Sequence, residues 1–209
     1  MRVIEGLYAV TPDEPDTATL VRLVGAAVTG GATIVQYRNK GATSALRREQ
    51  ATALLRVCRD KGAALIVNDH VELALEISAD GVHVGREDGD VAGTRVRLGE
   101  DRILGVSCYN DLALALRARD AGATYVAFGG FFRSTTKPGT ASSPLSLLAD
   151  AKRVTGLPVV AIGGITLENA TPLIEAGADA VAVISSLFGG NDVMITARSF
   201  AALFESRKA

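Results

Sequence analysis

The sequence predicts a single α/β domain spanning residues 1–209: a closed (β/α)8 TIM barrel. Three observations carry that expectation. Short β-rich apolar runs alternate eight times with Ala/Leu-rich helical stretches. The apolar runs are continuous rather than alternating, as in strands buried on both faces. Small-residue signals, Gly30-Gly31-Ala32, Lys61-Gly62-Ala63, Ala121-Gly122-Ala123 and Ala176-Gly177-Ala178, fall between a helix and the next strand, where glycine tolerates the left-handed residue that ends a helix. A doubly wound open sheet competes, but eight units in 209 residues with no linker to a second domain favour closure.

In chain order, strands are expected at 6–10, 33–37, 64–67, 81–84, 102–106, 125–128, 159–162 and 180–183. Helices are expected near 17–29, 43–61, 70–77, 90–97, 110–121, 144–154, 167–176 and 186–189, with a last one near 193–206 closing the chain. Apolar residues make up 48% of the chain, enough for a substantial core. The formal charge of −1 gives no bulk attraction to nucleic acid or an anionic membrane, and without Trp there is no evident stacking platform for single strands. No apolar run approaches the roughly 18 residues of a membrane span, and Met1–Tyr8 lacks a signal-peptide core. Cys58 and Cys108 form neither a metal spacing nor a disulfide framework, which fits a reducing cytoplasm. Small molecules are therefore the expected partners, with a homo-oligomer left open.

In a barrel the chemistry belongs at the carboxyl ends of the strands. The first ends near Tyr8, either a ligand contact or a core aromatic. The second gives Gln36, Arg38 and Lys40 at alternate positions, which puts an amide, a guanidinium and an ammonium on one side of an extended chain. That set suits a phosphorylated ligand with a hydrogen-bonding ring. The third and fourth end in Asn68-Asp69-His70 and in Gly85-Arg86-Glu87-Asp88. Two carboxylates on neighbouring strand ends suit Mg²⁺ shared with phosphates; the plainer alternative makes Asp69 a helix cap and Asp88 a loop residue. His83, flanked by Val82 and Val84, is expected inside the barrel, as a satisfied core histidine or a donor to a ligand. Ser107 follows the fifth strand as a ligand contact or a cap, and no base beside it suggests a nucleophile. Cys108 is expected to be structural.

The sixth strand runs into the longest loop, 129–139, where an exposed Phe131-Phe132 pair precedes Ser134, Thr136 and Lys137, a composition suited to a closing anion-binding segment. The seventh ends in Gly163-Gly164 and the eighth in Ile184-Ser185-Ser186. Backbone amides at paired glycines beside a serine-led helix match the phosphate site that barrels form after these two strands. One anion site near Asp69 and Asp88 and a second near Gly164 and Ser185 imply a transferase that joins two phosphorylated small molecules and releases diphosphate.

These residues resemble the thiamine-phosphate synthase family. The resemblance rests on Gln36-x-Arg38-x-Lys40, Asn68-Asp69, the stretch Asp80 to Asp88, Ser134 to Lys137, Ile162 to Ile165, and Ile184-Ser185, and it runs from Tyr8 to Ser186. It implies a (β/α)8 enzyme that condenses 4-amino-5-hydroxymethyl-2-methylpyrimidine diphosphate with a thiazole phosphate (or its carboxylate form), with Mg²⁺ required. Asp69 and Asp88 would then hold Mg²⁺. Gln36, Arg38, Lys40, Asn68, His83, Ser107 and Lys137 would contact the pyrimidine diphosphate, with Lys137, Arg38 and Ser107 as the catalytic set. Ser134, Thr136, Gly164, Ile184 and Ser185 would hold the thiazole phosphate. Three residues depart from the family's pattern: Ser134 stands where Thr is common, Gly130 where Pro is common, and Arg86 where Gln is usual. The alternatives are a thiazole tautomerase-like isomerase on the same scaffold, which has no need of the Gln-Arg-Lys and Asp-Asp sets, and a non-catalytic phosphometabolite-binding protein.

Overall fold

A computed structural model describes residues 3–85, 90–132 and 143–205. Eight parallel strands close into a barrel in sequence order. They are β1 (Gly6–Val10), β2 (Ala32–Tyr37), β3 (Ala64–Asn68), β4 (Gly81–Val84), β5 (Ile103–Tyr109), β6 (Tyr125–Phe128), β7 (Val159–Ile162) and β8 (Ala180–Val183). Closure is made where β1 pairs with β8, Leu7 opposite Val181 and Ala9 opposite Val183. The helices outside are α1 (Thr17–Thr29), α2 (Ser44–Lys61), α3 (Val71–Ile77), α4 (Val91–Leu98), α5 (Leu112–Asp120), α6 (Ser146–Thr155), α7 (Ala170–Glu175), α8 (Ser185–Phe188) and α9 (Val193–Glu205).

Alternation along each strand sorts side chains into two cores. Tyr8, Val10, Ile34, Ile66, Tyr125, Val160 and Ala182 fill the barrel interior. Their chain neighbours, among them Leu7, Ala9, Val67, Val82, Val84 and Val126, pack outward against the helices. The expected helix signals are present: Asp16, Thr43 and Asp111 cap α1, α2 and α5 with their side chains, and Gly62 ends α2 at φ +79. At the amino-terminal rim, Asp80 Oδ2 accepts the Leu65 N–H at 2.8 Å and Asp179 Oδ2 the Val159 N–H at 2.9 Å. Asp80, part of the fourth-strand motif, therefore serves the end of the barrel opposite the site.

Two expectations need correction. The fifth strand does not stop at Val106: it continues to Tyr109, with a register irregularity against β6 between Ser107 and Tyr109. Ser107 is thus inside the strand and does not cap α5, a role taken by Asp111. The Phe pair is not exposed either. Phe131 is 2% exposed within the outer core and Phe132 packs against that core, because apolar rings at the end of β6 gain more from burial than from a solvent-facing loop.

Candidate active site

The carboxyl ends of the strands surround a cavity of 410 Å³, and its floor is a chain of hydrogen bonds across the barrel interior. Gln36 Nε2 donates to Tyr8 Oη at 2.8 Å, and Tyr8 Oη lies 2.7 Å from Tyr125 Oη. Tyr125 Oη is 2.8 Å from His83 Nδ1, and His83 Nε2 is 2.8 Å from Ser107 Oγ. Burial pushes the Tyr8 hydroxyl up to about 12 and raises that of Tyr125 well above its ordinary value, so both keep their protons. One direction gives every buried hydroxyl proton an acceptor. Tyr8 donates to Tyr125, Tyr125 to His83 Nδ1, and His83 Nε2–H to Ser107. The chain then ends in two uncharged handles, the Gln36 Oε1 acceptor and the Ser107 O–H donor.

The rings are packed as firmly as they are bonded. Tyr8 and Tyr125 meet edge to face at 6.0 Å between centroids, and His83 stacks on Tyr125 at 5.6 Å. Gly105, opposite Tyr125 in the ladder, makes room for that ring: a Cβ there would lie 2.1 Å from Tyr125 Cζ.

Around this floor the structure gathers most of the sequence-predicted residues. Arg38 and Asn68 line the cavity together with Gly164, Ile184 and Ser185, so some residues expected of each anion site share one chamber. The Gly163-Gly164 turn has φ +108 and +64, which disfavours other residues there, and a Cβ on Gly163 would lie 2.7 Å from Gly130 Cα. Gly130, one of the family departures, therefore packs flat against the turn. Asn169 holds the turn by donating to Gly164 O at 3.0 Å, and Ser186 Oγ donates to Ile165 O at 2.5 Å, tying the ends of β7 and β8 together. The helices beside these loops, α7 and α8, are only 6 and 4 residues long, too short for a strong helix dipole.

Other expected residues are placed differently. Lys40 is exposed beyond the end of β2 and is absent from the cavity lining. Asp69 borders a neighbouring charged groove of 630 Å³ between α2, α3 and α4. It stands at φ +61 at the end of β3, and its Oδ2 accepts from Asn68 Nδ2 at 2.5 Å. The residue at the amino-terminal cap of α3 is His70, which makes no side-chain capping bond. His83 lines the cavity, with both ring nitrogens bonded to protein hydroxyls. Cys108 is buried, and burial pushes its thiol up to about 12, consistent with a structural role. Arg86, Asp88, Ser134, Thr136 and Lys137 lie outside the described residues.

Sequence reasoning missed Tyr125 as a site residue. Its signal was available in parity: Tyr125 and Ala127 share the inward face of β6, opposite Gly105 and Ser107 of β5.

Comparisons with known proteins identify the family and the fold. The family described as "Thiamine monophosphate synthase" matches residues 7–187. A thiamine-phosphate synthase of Chromobacterium violaceum is 54% identical over 204 residues, covering 98% of each chain. One from Nitrosospira multiformis is 50% identical over 204 residues, covering 98% of this chain and 87% of the relative. Among solved structures, thiamine phosphate pyrophosphorylase from Pyrococcus furiosus superposes with a TM-score of 0.86 at 32% identity, covering 96% of each chain. Orotidine 5'-phosphate decarboxylase from Pyrococcus horikoshii, at 11% identity and a TM-score of 0.72, shares the fold alone.

Proposed function

The chain belongs to the thiamine monophosphate synthase family and is a transferase, and from that premise we propose that it joins an aminopyrimidine diphosphate to a thiazole phosphate, giving thiamine phosphate and diphosphate. The observation that carries this reading is one chamber lined by Arg38 and Asn68, by Gly164, Ile184 and Ser185, and by a neutral polar floor. The walls suit two phosphate-bearing partners. The Gln36 acceptor and Ser107 donor suit the exocyclic amine and ring nitrogen of an aminopyrimidine.

The chemistry is dissociative. An electron-rich aminopyrimidine expels diphosphate and leaves a stabilised methylene cation, which the thiazole nitrogen attacks. No protein nucleophile or base is required, so the side chains bind, align and exclude water. Arg38, with Lys40 and Lys137, takes up negative charge on the leaving group. Gln36 and Ser107 orient the pyrimidine, and Tyr8 and Tyr125 fix those two handles in place. Gly164, Ile184, Ser185, Ser134 and Thr136 hold the thiazole phosphate so that its ring nitrogen faces the reacting carbon.

Asp69, with Asp88, would hold Mg²⁺. The donor chemistry fits: Asp69 offers hard carboxylate oxygens at the rim, held by the Asn68 amide. Mg²⁺ is commonly bound through one or two carboxylates, with phosphate and water completing its shell, so this pair suits it. When bound, it supplies positive charge to the leaving diphosphate.

The test mixes purified protein with both substrates and Mg²⁺ and follows thiamine phosphate and released diphosphate, with an EDTA control. Product that requires the metal and both substrates supports the reading. No product, despite tight thiazole phosphate binding, refutes it in favour of a tautomerase-like isomerase or a binding protein. A small molecule as substrate and a cytoplasmic setting belong to the same proposal; among the described residues no helix is long and apolar enough to cross a membrane.

A further inference from the structure

Arg38 and Lys40 lie past the last residue of β2, Tyr37, so the β2–β3 ladder does not fix their backbone. The connection between β1 and α1 does so instead. Thr11, fully buried, donates its N–H to Gln36 O at 3.0 Å. Its hydroxyl donates to Arg38 O at 2.8 Å and accepts the Arg38 N–H at 2.8 Å. One side chain thus satisfies both peptide groups of Arg38, as a neighbouring strand would. Asp13 Oδ1 accepts the Lys40 N–H at 3.0 Å and faces Arg38 Nη1 at 3.3 Å.

The other face of the same segment is anchored to α2. Gln50 of α2 is 0% exposed, and its Oε1 accepts from Tyr37 Oη at 2.9 Å and from Asn39 Nδ2 at 3.1 Å. Its Nε2 donates to Glu14 O at 2.8 Å, and Asn39 Nδ2 also donates to that carbonyl at 3.0 Å. Odd-numbered residues therefore hold the segment from behind, while Gln36 and Arg38 face the cavity. A buried amide with this many partners is costly to leave incomplete, so the arrangement fixes one backbone path. Thr11, Asp13 and Gln50 do not line the cavity themselves.

We propose that Thr11, Asp13 and Gln50 are positioning residues for Arg38 and Lys40, holding the backbone beyond β2 so that the two cations meet the diphosphate of the pyrimidine substrate. This rests on the transferase reading above. The alternative is a brace that only stabilises the fold, and the two differ in which substrate they affect.

The test compares Thr11→Val, which removes the hydroxyl and keeps the branched shape, with Thr11→Ser, which keeps the hydroxyl. Steady-state kinetics vary each substrate in turn, and calorimetry measures inorganic diphosphate binding with Mg²⁺. Thr11→Val is expected to raise KM for the pyrimidine diphosphate about tenfold and to weaken inorganic diphosphate similarly, with KM for the thiazole phosphate changed less than about twofold. Thr11→Ser should stay within about threefold of wild type. A Thr11→Val protein that melts earlier but keeps its diphosphate affinity, or that raises both KM values alike, overturns the proposal. Should Thr11→Val fail to fold, Asp13→Asn serves, since it keeps an oxygen for the Lys40 N–H and removes the charge facing Arg38. Weaker diphosphate binding supports positioning. Unchanged or tighter binding means that Asp13 does not position Arg38 and overturns the proposal. Wild-type protein that binds inorganic diphosphate but forms no thiamine phosphate refutes the reading of function, while the calorimetric comparison still decides the positioning role.

Discussion

Removing the Tyr125 hydroxyl cuts the floor of the cavity at its centre. In Tyr125→Phe the ring and its stacking survive, but Tyr8 Oη loses a partner at 2.7 Å and His83 Nδ1 one at 2.8 Å. Both are buried, Tyr8 at 1% exposure and His83 at 7%, so water replaces neither bond readily. Leaving a buried polar group unpaired costs roughly 1–3 kcal/mol, which puts Tyr125→Phe at about 3 kcal/mol. For a chain of this size that lowers Tm by about 6–12 °C. Tyr8→Phe strands Gln36 Nε2 and removes the donor to Tyr125, at a cost of about 2 kcal/mol. The double variant strands only the two ends, Gln36 Nε2 and His83 Nδ1, because the middle bond disappears with both its members. It should therefore cost about 3 kcal/mol, short of the sum by about 2 kcal/mol. Urea unfolding of the four proteins at constant m measures this coupling. Additive losses, or a Tyr125→Phe midpoint equal to wild type, would refute the hydrogen-bond chain.

Asp69→Ala and Lys137→Ala should each lower kcat/KM by about 100-fold or more while the melting temperature moves little; wild-type turnover of Asp69→Ala with Mg²⁺ would sink the metal assignment. Gly105→Ala places a methyl group where the Tyr125 ring stands and should cost about 1–3 kcal/mol, with Tyr125→Phe failing to relieve it because the clash is with the ring as well as the hydroxyl. Alkaline stability offers a further check. The Tyr8 hydroxyl, raised from about 10 unfolded to about 12 folded by burial, contributes stability that is fully present below pH 10 and is lost as pH rises through 12. The loss amounts to about 3 kcal/mol, and Tyr8→Phe should unfold with a visibly shallower pH dependence across that window when followed by denaturant midpoints.

The strand–helix alternation, the eight strands and the polar residues at their ends were legible in the sequence, because burial on both faces demands continuous apolar runs and helices demand a longer period. That Gln36, Arg38, Asn68 and Ser185 line a cavity was legible too, since polar residues at the ends of buried strands need partners, and Gly164 joins them through its paired-glycine turn. The extension of β5 to Tyr109 was not legible: Ser107 reads as a terminator, and only pairing with β6 keeps it in the ladder. Phe131 was misplaced because an aromatic pair in a glycine-rich stretch gives no sign of which core receives it.

The sequence by itself determined the fold class and the family to which these residues belong, since both follow from local period and from motifs contiguous in the chain. Only the tertiary structure decided that Arg38 and Asn68 share one chamber with Gly164 and Ser185, that Lys40 and Asp69 are not in its lining, and that Tyr8, Tyr125, His83 and Ser107 form a single hydrogen-bonded floor. Tyr8 and Tyr125 are 117 residues apart, and Gln50 reaches Asn39 and Glu14 from a neighbouring helix. Such partners are chosen by the closure of the barrel and the packing of helices on it, which bring distant groups within hydrogen-bonding distance and which no local pattern encodes.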